Sequence, residues 1–180
     1  KIARTFQEVA EDLELLSLFF AAPWTTLLPA LVDGPDALSL HDQGYLLHRA
    51  ALALRHLGRI GEAQPPMQQA GAVFTNAGYV DRAVTCANDL AELLMRLDHD
   101  DDAMVAISRA ITLATPSDDP RELHLLYATR GHLLDRARRW EEAADAFATA
   151  TRYVVRLNAA TGLHTARSVH LAALPGLYHF

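Results

Sequence analysis

The histidines and one run of acidic residues are the side chains that could bind a metal ion or support acid–base chemistry. His48 and His56 are eight positions apart, as are His124 and His132. This spacing does not place two ligands on adjacent turns of a helix, as a spacing of four would. The acidic run 98–102 lacks the glycine and the final glutamate of a calcium-binding loop. We therefore predict no metal site and expect these side chains to be exposed or paired locally.

Motifs of catalysis are also missing from the sequence. It contains no glycine-rich phosphate-binding loop, no Gly-x-Ser-x-Gly nucleophile motif and no convincing pair of carboxylates. The single cysteine, Cys86, excludes a disulfide framework and has no second thiol with which to bind zinc. The sequence thus predicts a non-enzymatic protein without a cofactor.

The composition indicates which elements must position any binding residues. Of the 180 residues, 32 are Ala and 29 are Leu, which are both good helix formers. The formal net charge is -6, and Lys1 is the only lysine among 16 cationic residues. A nucleic-acid partner is not expected, because binding phosphates needs a basic surface. We predict an all-α fold in which arginine supplies almost every positive charge.

The uncharged segment Leu15–Val32 has the length of a short membrane span. It contains eighteen residues, about the minimum for crossing a bilayer. Pro23 and Pro29 interrupt it, and neither Arg nor Lys flanks it. We therefore expect two short helices that meet near Ala22–Pro23, in a cytoplasmic protein with no membrane partner. The residues at the two ends of the sequence suggest a piece of a longer protein.

A repeat runs through the middle of the chain. Ala63, Ala103 and Ala143 follow one another at intervals of 40 positions. Small and apolar residues recur with them at four further offsets: Ala51, Ala91 and Gly131; Ala70, Ala110 and Ala150; Leu54, Leu94 and Leu134; Met67, Ile107 and Phe147. At helical spacing these residues lie on facing sides of two helices, where small side chains let the backbones approach. Each unit is therefore predicted to be an antiparallel helix hairpin.

The links between the predicted helices contain residues suited to turns. Those within the units contain Gly58, Asp98 and Arg138. Those between units contain residues that readily adopt the left-handed conformation at a helix end: Gly78, Asp118 and Asn158. Ser39 and the pair Asp119–Pro120 predict helix starts. The pair Pro65–Pro66 predicts that the second helix of the first unit is delayed to about Gln64.

These units resemble tetratricopeptide repeats. The segment from Ala51 to Ala63 matches the family's spacing of a small residue, a leucine, a glycine and an acidic residue before alanine. The segment from Gly131 to Ala150, with Trp140 and Phe147, matches it equally well. The resemblance covers about residues 44–158, although the period of 40 exceeds the family's usual period of about 34. It implies a right-handed α-solenoid of the longer-period type found in bacterial signalling NTPases and transcription regulators.

The resemblance also implies a division of the chain into five segments. Residues 1–40 would form N-terminal helices that pack on or precede the array. Residues 41–80, 81–120 and 121–160 would form three repeats. Residues 161–180 would form a capping helix or the first half of a fourth repeat, with a helix from about Gly162 to Leu174.

In this family the first helices of the repeats line a concave groove. Its inward positions give the candidate partner-binding residues, which are Tyr45, His48, Arg55, Asn88, Glu92, Met95, His132 and Asp135. Such a mixture of aromatic, amide and charged groups could hold a peptide or a partner domain. The same residues would equally suit the solvated surface of a spacer array. The predicted function is a non-catalytic protein-interaction scaffold within a larger bacterial signalling or regulatory protein.

Two alternatives remain open from the sequence. The segment could be a regulatory domain that senses a small molecule or peptide and controls a neighbouring NTPase or DNA-binding domain. It could also associate with itself through apolar faces near its ends, around Phe19–Phe20 and Leu174–Leu177.

Overall fold

The computed structural model describes residues 5–161, and this part of the chain is mostly helical. Its elements, in chain order, are α1 (Phe6–Ser17), β1 (Phe20–Ala22), β2 (Thr26–Leu27), α2 (Pro29–Asp33), α3 (Leu40–His56), α4 (Ile60–Asn76), α5 (Val80–Arg96), α6 (Asp100–Ala114), α7 (Pro120–Arg136) and α8 (Trp140–Thr161). The residues form two compact units that meet in sequence between Leu113 and Ala114. The predicted helix from Gly162 to Leu174 and the apolar segment Leu174–Leu177 lie outside the described residues.

From α3 onwards, the helices begin at equal intervals along the chain. The first residues of the six helices are Leu40, Ile60, Val80, Asp100, Pro120 and Trp140, each 20 positions after the one before. Each period of the sequence repeat therefore contains two helices of similar length. Helices α3 and α4 pack together, as do α7 and α8. Because only three residues link the helices of each of these pairs, the two helices run antiparallel.

Most of these helices end in the same hydrogen-bonded turn. At the end of α3, the amide of Gly58 donates to the carbonyl of Arg55 and the amide of Arg59 donates to the carbonyl of Leu54. This pair of bonds is the Schellman motif, which satisfies carbonyl groups that the helix leaves without partners. The pattern repeats at the ends of α4, α5 and α7.

The turns place one residue every 20 positions in the left-handed conformation. The φ values are 75° at Gly58, 78° at Gly78, 58° at Asp98, 48° at Asp118 and 58° at Arg138. The prediction of left-handed residues at Gly78 and Asp118 is confirmed. The prediction for Asn158 is wrong, because α8 continues as a helix through this residue to Thr161.

The residues that recur every 40 positions form much of the core. Ala63 and Ala103 are fully buried, and Ala143 is almost so. The leucines and most of the large apolar residues predicted to surround them are buried as well: Leu54, Leu94, Leu134, Met67 and Ile107. Alanine is thus buried at each of these positions, as expected where small side chains allow helix backbones to approach one another.

The starts of two helices agree with the predicted caps. The Oγ atom of Ser39 accepts a hydrogen bond from the amide of Asp42 at 3.1 Å at the start of α3. The carboxylate of Asp119 accepts one from the amide of Arg121 at 2.8 Å, and Pro120 is the first residue of α7. Side-chain caps of this kind satisfy amides that have no partner inside the helix.

The predicted delay of α4 is wrong. The helix begins at Ile60 and continues through Pro65 and Pro66 to Asn76. The prolines deprive the carbonyls of Gly61 and Glu62 of their usual amide donors, because proline has no N–H. Both carbonyls are in exposed residues of the first turn, where water can hydrogen-bond to them, so the helix accommodates the prolines.

The N-terminal region differs from the two short helices predicted to meet near Ala22–Pro23. Helix α1 packs on α3, but β1 and β2 then form a small antiparallel hairpin in which Phe20 is paired with Leu27. The turn contains Pro23 and the left-handed residue Trp24, with a φ of 66°. A proline disfavours helical geometry in the residue before it, and the buried ring of Trp24 packs against that of Phe20 at 5.6 Å. The hairpin is therefore stabilised by aromatic packing.

Candidate functional site

A polar network connects α3 to α5. The carboxylate of Asp89 accepts two hydrogen bonds. The donors are Nε2 of His48, 2.9 Å from one carboxylate oxygen, and Nη1 of Arg55, 3.1 Å from the other. The same Nη1 atom of Arg55 lies 3.2 Å from a carboxylate oxygen of Glu92. We name His48, Arg55, Asn88, Asp89 and Glu92 the α3–α5 network. It joins residues 34 to 41 positions apart in sequence.

Asn88 extends the network along α5. Its amide nitrogen donates to a carboxylate oxygen of Glu92 at 3.3 Å, one helical turn away. The other carboxylate oxygen of Glu92 faces Arg55. Glu92 is therefore held by an amide on one side and a guanidinium on the other, which restricts its rotamer.

Burial within the network decreases from one edge to the other. The side chains of His48, Asp89 and Arg55 are 10%, 16% and 18% exposed, whereas that of Glu92 is 43% exposed. Charge pairs shielded from water interact more strongly than exposed ones, and removing one partner leaves the other poorly solvated. The inner three residues thus form a support, and Glu92 is the group presented to solvent.

The structure brings together four of the eight predicted groove residues: His48, Arg55, Asn88 and Glu92. His48 is buried and contacts Asp89 through its Nε2 atom, so its role in the network is to position Asp89. Asp89, the residue at the centre, was missed. The sequence signal for it is limited to its position three residues before Glu92, on a neighbouring part of the same helix surface, which does not indicate the cation that faces it.

The remaining predicted residues have separate surroundings. Tyr45 is 43% exposed on α3, and Met95 is half-buried near the end of α5. His132 packs its ring against Phe147, with 5.1 Å between ring centroids. Asp135 is exposed near the end of α7. His132 and Asp135 belong to the second compact unit, whereas the α3–α5 network belongs to the first.

Arg139, next to Trp140, forms a local ion pair. Arg139 binds Glu142 through two nitrogens, each 2.6 Å from a carboxylate oxygen. These hydrogen bonds hold the pKa of Glu142 below its usual value and the pKa of Arg139 above its own. Arg59 and Glu62 form the same pair at the start of α4. Both pairs are exposed, so they contribute little to stability.

Within residues 5–161, no group of three or more His, Cys, Asp or Glu side chains is arranged to hold a metal ion. No helix in that range combines the length and apolar character needed to span a bilayer. Comparison with protein-family models and with curated proteins finds no match to this chain.

Proposed function

We propose that this chain is a protein-interaction scaffold that binds a peptide or partner domain through the solvent-exposed edge of the α3–α5 network. The observation that carries the proposal is the graded burial of the network, with Glu92 held in place by Arg55 and Asn88 yet 43% exposed. A carboxylate with a restricted rotamer loses little entropy when it accepts a ligand's hydrogen bonds.

The charges of the network suggest the chemistry of the partner. Within the network, the one positive charge of Arg55 faces the two negative charges of Asp89 and Glu92, so the carboxylates outnumber the guanidinium. The chain as a whole has a net charge of -6. A partner segment that presents backbone N–H groups or an Arg or Lys side chain to Glu92 would complement both the local and the overall charge.

The regular spacing of the helices supports a scaffold of the tetratricopeptide type. Helices that start at equal intervals and end in one repeated turn are what an array of equivalent hairpins requires. In such a right-handed solenoid, the first helices of the hairpins would line the concave surface, and the other predicted groove residues would extend the site. A larger bacterial signalling or regulatory protein is the parent that this architecture suggests.

A peptide-display selection tests the proposal. Random twelve-residue peptides would be selected on the whole chain, and the enriched peptides titrated against the wild type and the variant Glu92→Lys. We expect these peptides to carry Arg or Lys and to lose at least about tenfold in affinity for the variant, because a charge-assisted hydrogen bond is replaced by repulsion.

The matched control for this experiment is Asp36→Lys, which makes the same change of charge at an exposed residue in the loop before α3. Peptides that bind both variants equally well would remove the α3–α5 network from the binding surface. Failure to enrich any peptide would contradict a peptide-binding role. Circular dichroism of Glu92→Lys would establish that a loss of affinity does not reflect unfolding.

A further inference from the structure

A cleft of about 350 Å³ lies among α4, α5 and α6 in the first compact unit. Its floor is apolar and contains Met67, Cys86 and Leu94, which are all buried. Its rim is open to solvent, since Ala72, Val105 and Arg109 are exposed. The cleft is separate from the α3–α5 network, with which it shares no residue.

Small side chains at two repeat positions open this space. Ala87 lines the cleft where the neighbouring repeats carry Leu47 and Tyr127 at the equivalent position. Gly71 lines it where the next repeat carries Ile111. These small side chains therefore leave more space here than the larger residues at the equivalent positions would.

The equivalent positions in the second compact unit also line a cavity, and it is smaller than the cleft. A smaller cavity of about 190 Å³ lies between α7 and α8, and each residue that lines it is 40 positions after a residue that lines the cleft. There, Tyr127 and Arg130 stand in the places of Ala87 and Leu90. The larger side chains occupy volume that the cleft leaves free.

Two charged residues on α6 border the cleft, and they differ in how their charge is balanced. Asp102 lies in the first turn of α6, where the helix dipole stabilises a carboxylate. Arg109 lies two turns further along, about 10 Å away at the rise of an α-helix. Within the described part of the chain Arg109 makes no hydrogen bond or ion pair. Its guanidinium is available to pair with an anion at the rim.

We propose that this cleft binds a small aliphatic carboxylate, with its hydrocarbon chain on the floor that contains Met67, Cys86 and Leu94 and its carboxylate paired with Arg109. The volume falls within the range of about 300 to 1,000 Å³ typical of small-molecule sites. An apolar chain gains by leaving water for the apolar floor, and a guanidinium pairs well with a carboxylate. This inference does not depend on the proposed peptide-binding surface.

Binding at this site is non-covalent. Burial raises the pKa of the Cys86 thiol to about 12, so the nucleophilic thiolate is scarce near neutral pH. Cys86 therefore contributes apolar contact surface and is not a point of attachment.

Calorimetric titration of the whole chain with three eight-carbon probes tests the proposal. The probes are sodium octanoate, 1-octanol and octylammonium chloride, which share one chain and differ in the charge of the head group. We expect octanoate to bind at least about threefold more tightly than octanol, and octylammonium to bind most weakly, because of Arg109. The variant Arg109→Gln should remove the preference for octanoate and leave octanol binding unchanged.

A second variant tests the apolar part of the cleft. Ala87→Leu introduces the residue that the first repeat carries at this position. Because leucine would fill the space, the affinity of the chain for each of the three probes should fall by at least about tenfold. Ala148→Leu makes the same change at an exposed position on α8 and should leave binding unaltered. If no probe binds the wild type, or if Ala87→Leu raises the melting temperature while octanoate still binds, the cleft is a packing defect and the proposal fails. Equal affinity for octanoate and octylammonium would also overturn it.

Discussion

Asp89 is the residue on which the α3–α5 network depends, since it contacts both His48 and Arg55. The substitution Asp89→Asn keeps the shape of the side chain and removes its charge, leaving the largely buried Arg55 with the more exposed Glu92 as its charged partner. We expect the free energy of unfolding in urea to fall by about 1–3 kcal/mol, the usual cost of leaving a buried charge or hydrogen-bonding group unsatisfied.

Glu14→Gln is a suitable comparison for this substitution, because Glu14 is exposed on α1 in the same compact unit. Its effect should remain within about 0.5 kcal/mol, as is usual for surface positions. Equal effects of the two substitutions would mean that the network contributes nothing to stability.

The sequence predicted part of this network, and the missing part has a physical reason. The predicted inward stripe of α3 includes His48 and Arg55, and that of α5 includes Asn88 and Glu92; these four residues do meet. Asp89 lies beside that stripe, so its role depends on which helix packs alongside. That information is absent from a single helix's pattern, which also gives no sign that His48 is buried.

Cys86 supplies a pH dependence of stability. Burial raises the pKa of its thiol from an ordinary value of 9.0 to about 12. Between these values the unfolded chain loses the proton while the folded chain keeps it. The thiol's contribution to the free energy of unfolding is therefore fully present below pH 9 and is lost as the pH rises towards 12. We expect the wild type to lose about 2 kcal/mol more than Cys86→Ala between pH 8 and pH 10.5. Parallel pH profiles of urea unfolding for the two proteins would contradict this assignment, since the tyrosines and arginines titrate in both.

At the scale of elements, the helix crossings are matched pairs of small and large residues. A Cβ atom added to Gly131 would lie 2.6 Å from Cε1 of Phe147. The preceding repeat carries Ala91 and Ile107 at the same two positions. We expect Gly131→Ala alone to lower the free energy of unfolding by about 1–3 kcal/mol through overpacking. The double substitution with Phe147→Ile should recover most of this loss in a double-mutant cycle.

Gly61→Ala is the matched control for that experiment. Nothing lies within 4 Å of a Cβ atom added to Gly61, which is in α4. The substitution should therefore stabilise the protein by about 0.5–1 kcal/mol through helix propensity. Additive effects of Gly131→Ala and Phe147→Ile would show that the two positions are not coupled.

The turns between helices offer a separate prediction. Arg138 has a φ of 58°, whereas the equivalent turn in the first hairpin has Gly58 at 75°. The left-handed conformation costs a residue with a side chain about 1 kcal/mol relative to glycine. We expect Arg138→Gly to stabilise the fold by about that amount and Gly58→Ala to destabilise it similarly, as measured by urea unfolding. Opposite signs would mean that contacts of the side chains outweigh the backbone conformation.

The sequence predicted most helix ends, because glycine, aspartate and asparagine readily adopt the left-handed conformation of a turn. It did not predict that α8 would continue through Asn158, since asparagine also fits within a helix when no turn is required. Nor did it predict the hairpin of β1 and β2, which depends on the packing of Trp24 against Phe20. Helix starts at Ser39 and Asp119 were predictable because capping is a local interaction.

At the scale of the whole molecule, 22 acidic residues against 16 Lys and Arg give the chain a net charge of -6. The field of such a charge extends beyond any one contact and accelerates the approach of a basic partner. Local contacts, in contrast, determine mainly how long a complex lasts. The two contributions can be separated by measuring association and dissociation rates.

We therefore expect the association rate of a basic peptide, selected as described for the proposed function, to fall by about tenfold or more when NaCl rises from about 0.05 to 0.5 M, because salt screens exposed charges. Asp36→Lys and Glu92→Lys alter the total charge equally, so both should slow association to a similar extent. Only Glu92→Lys should accelerate dissociation, because in the proposed complex Glu92 contacts the peptide and Asp36 does not. Surface plasmon resonance gives both rates. An association rate that does not change with salt would show that the net charge plays no part in recognition, and slow dissociation from Glu92→Lys would place the bound peptide elsewhere.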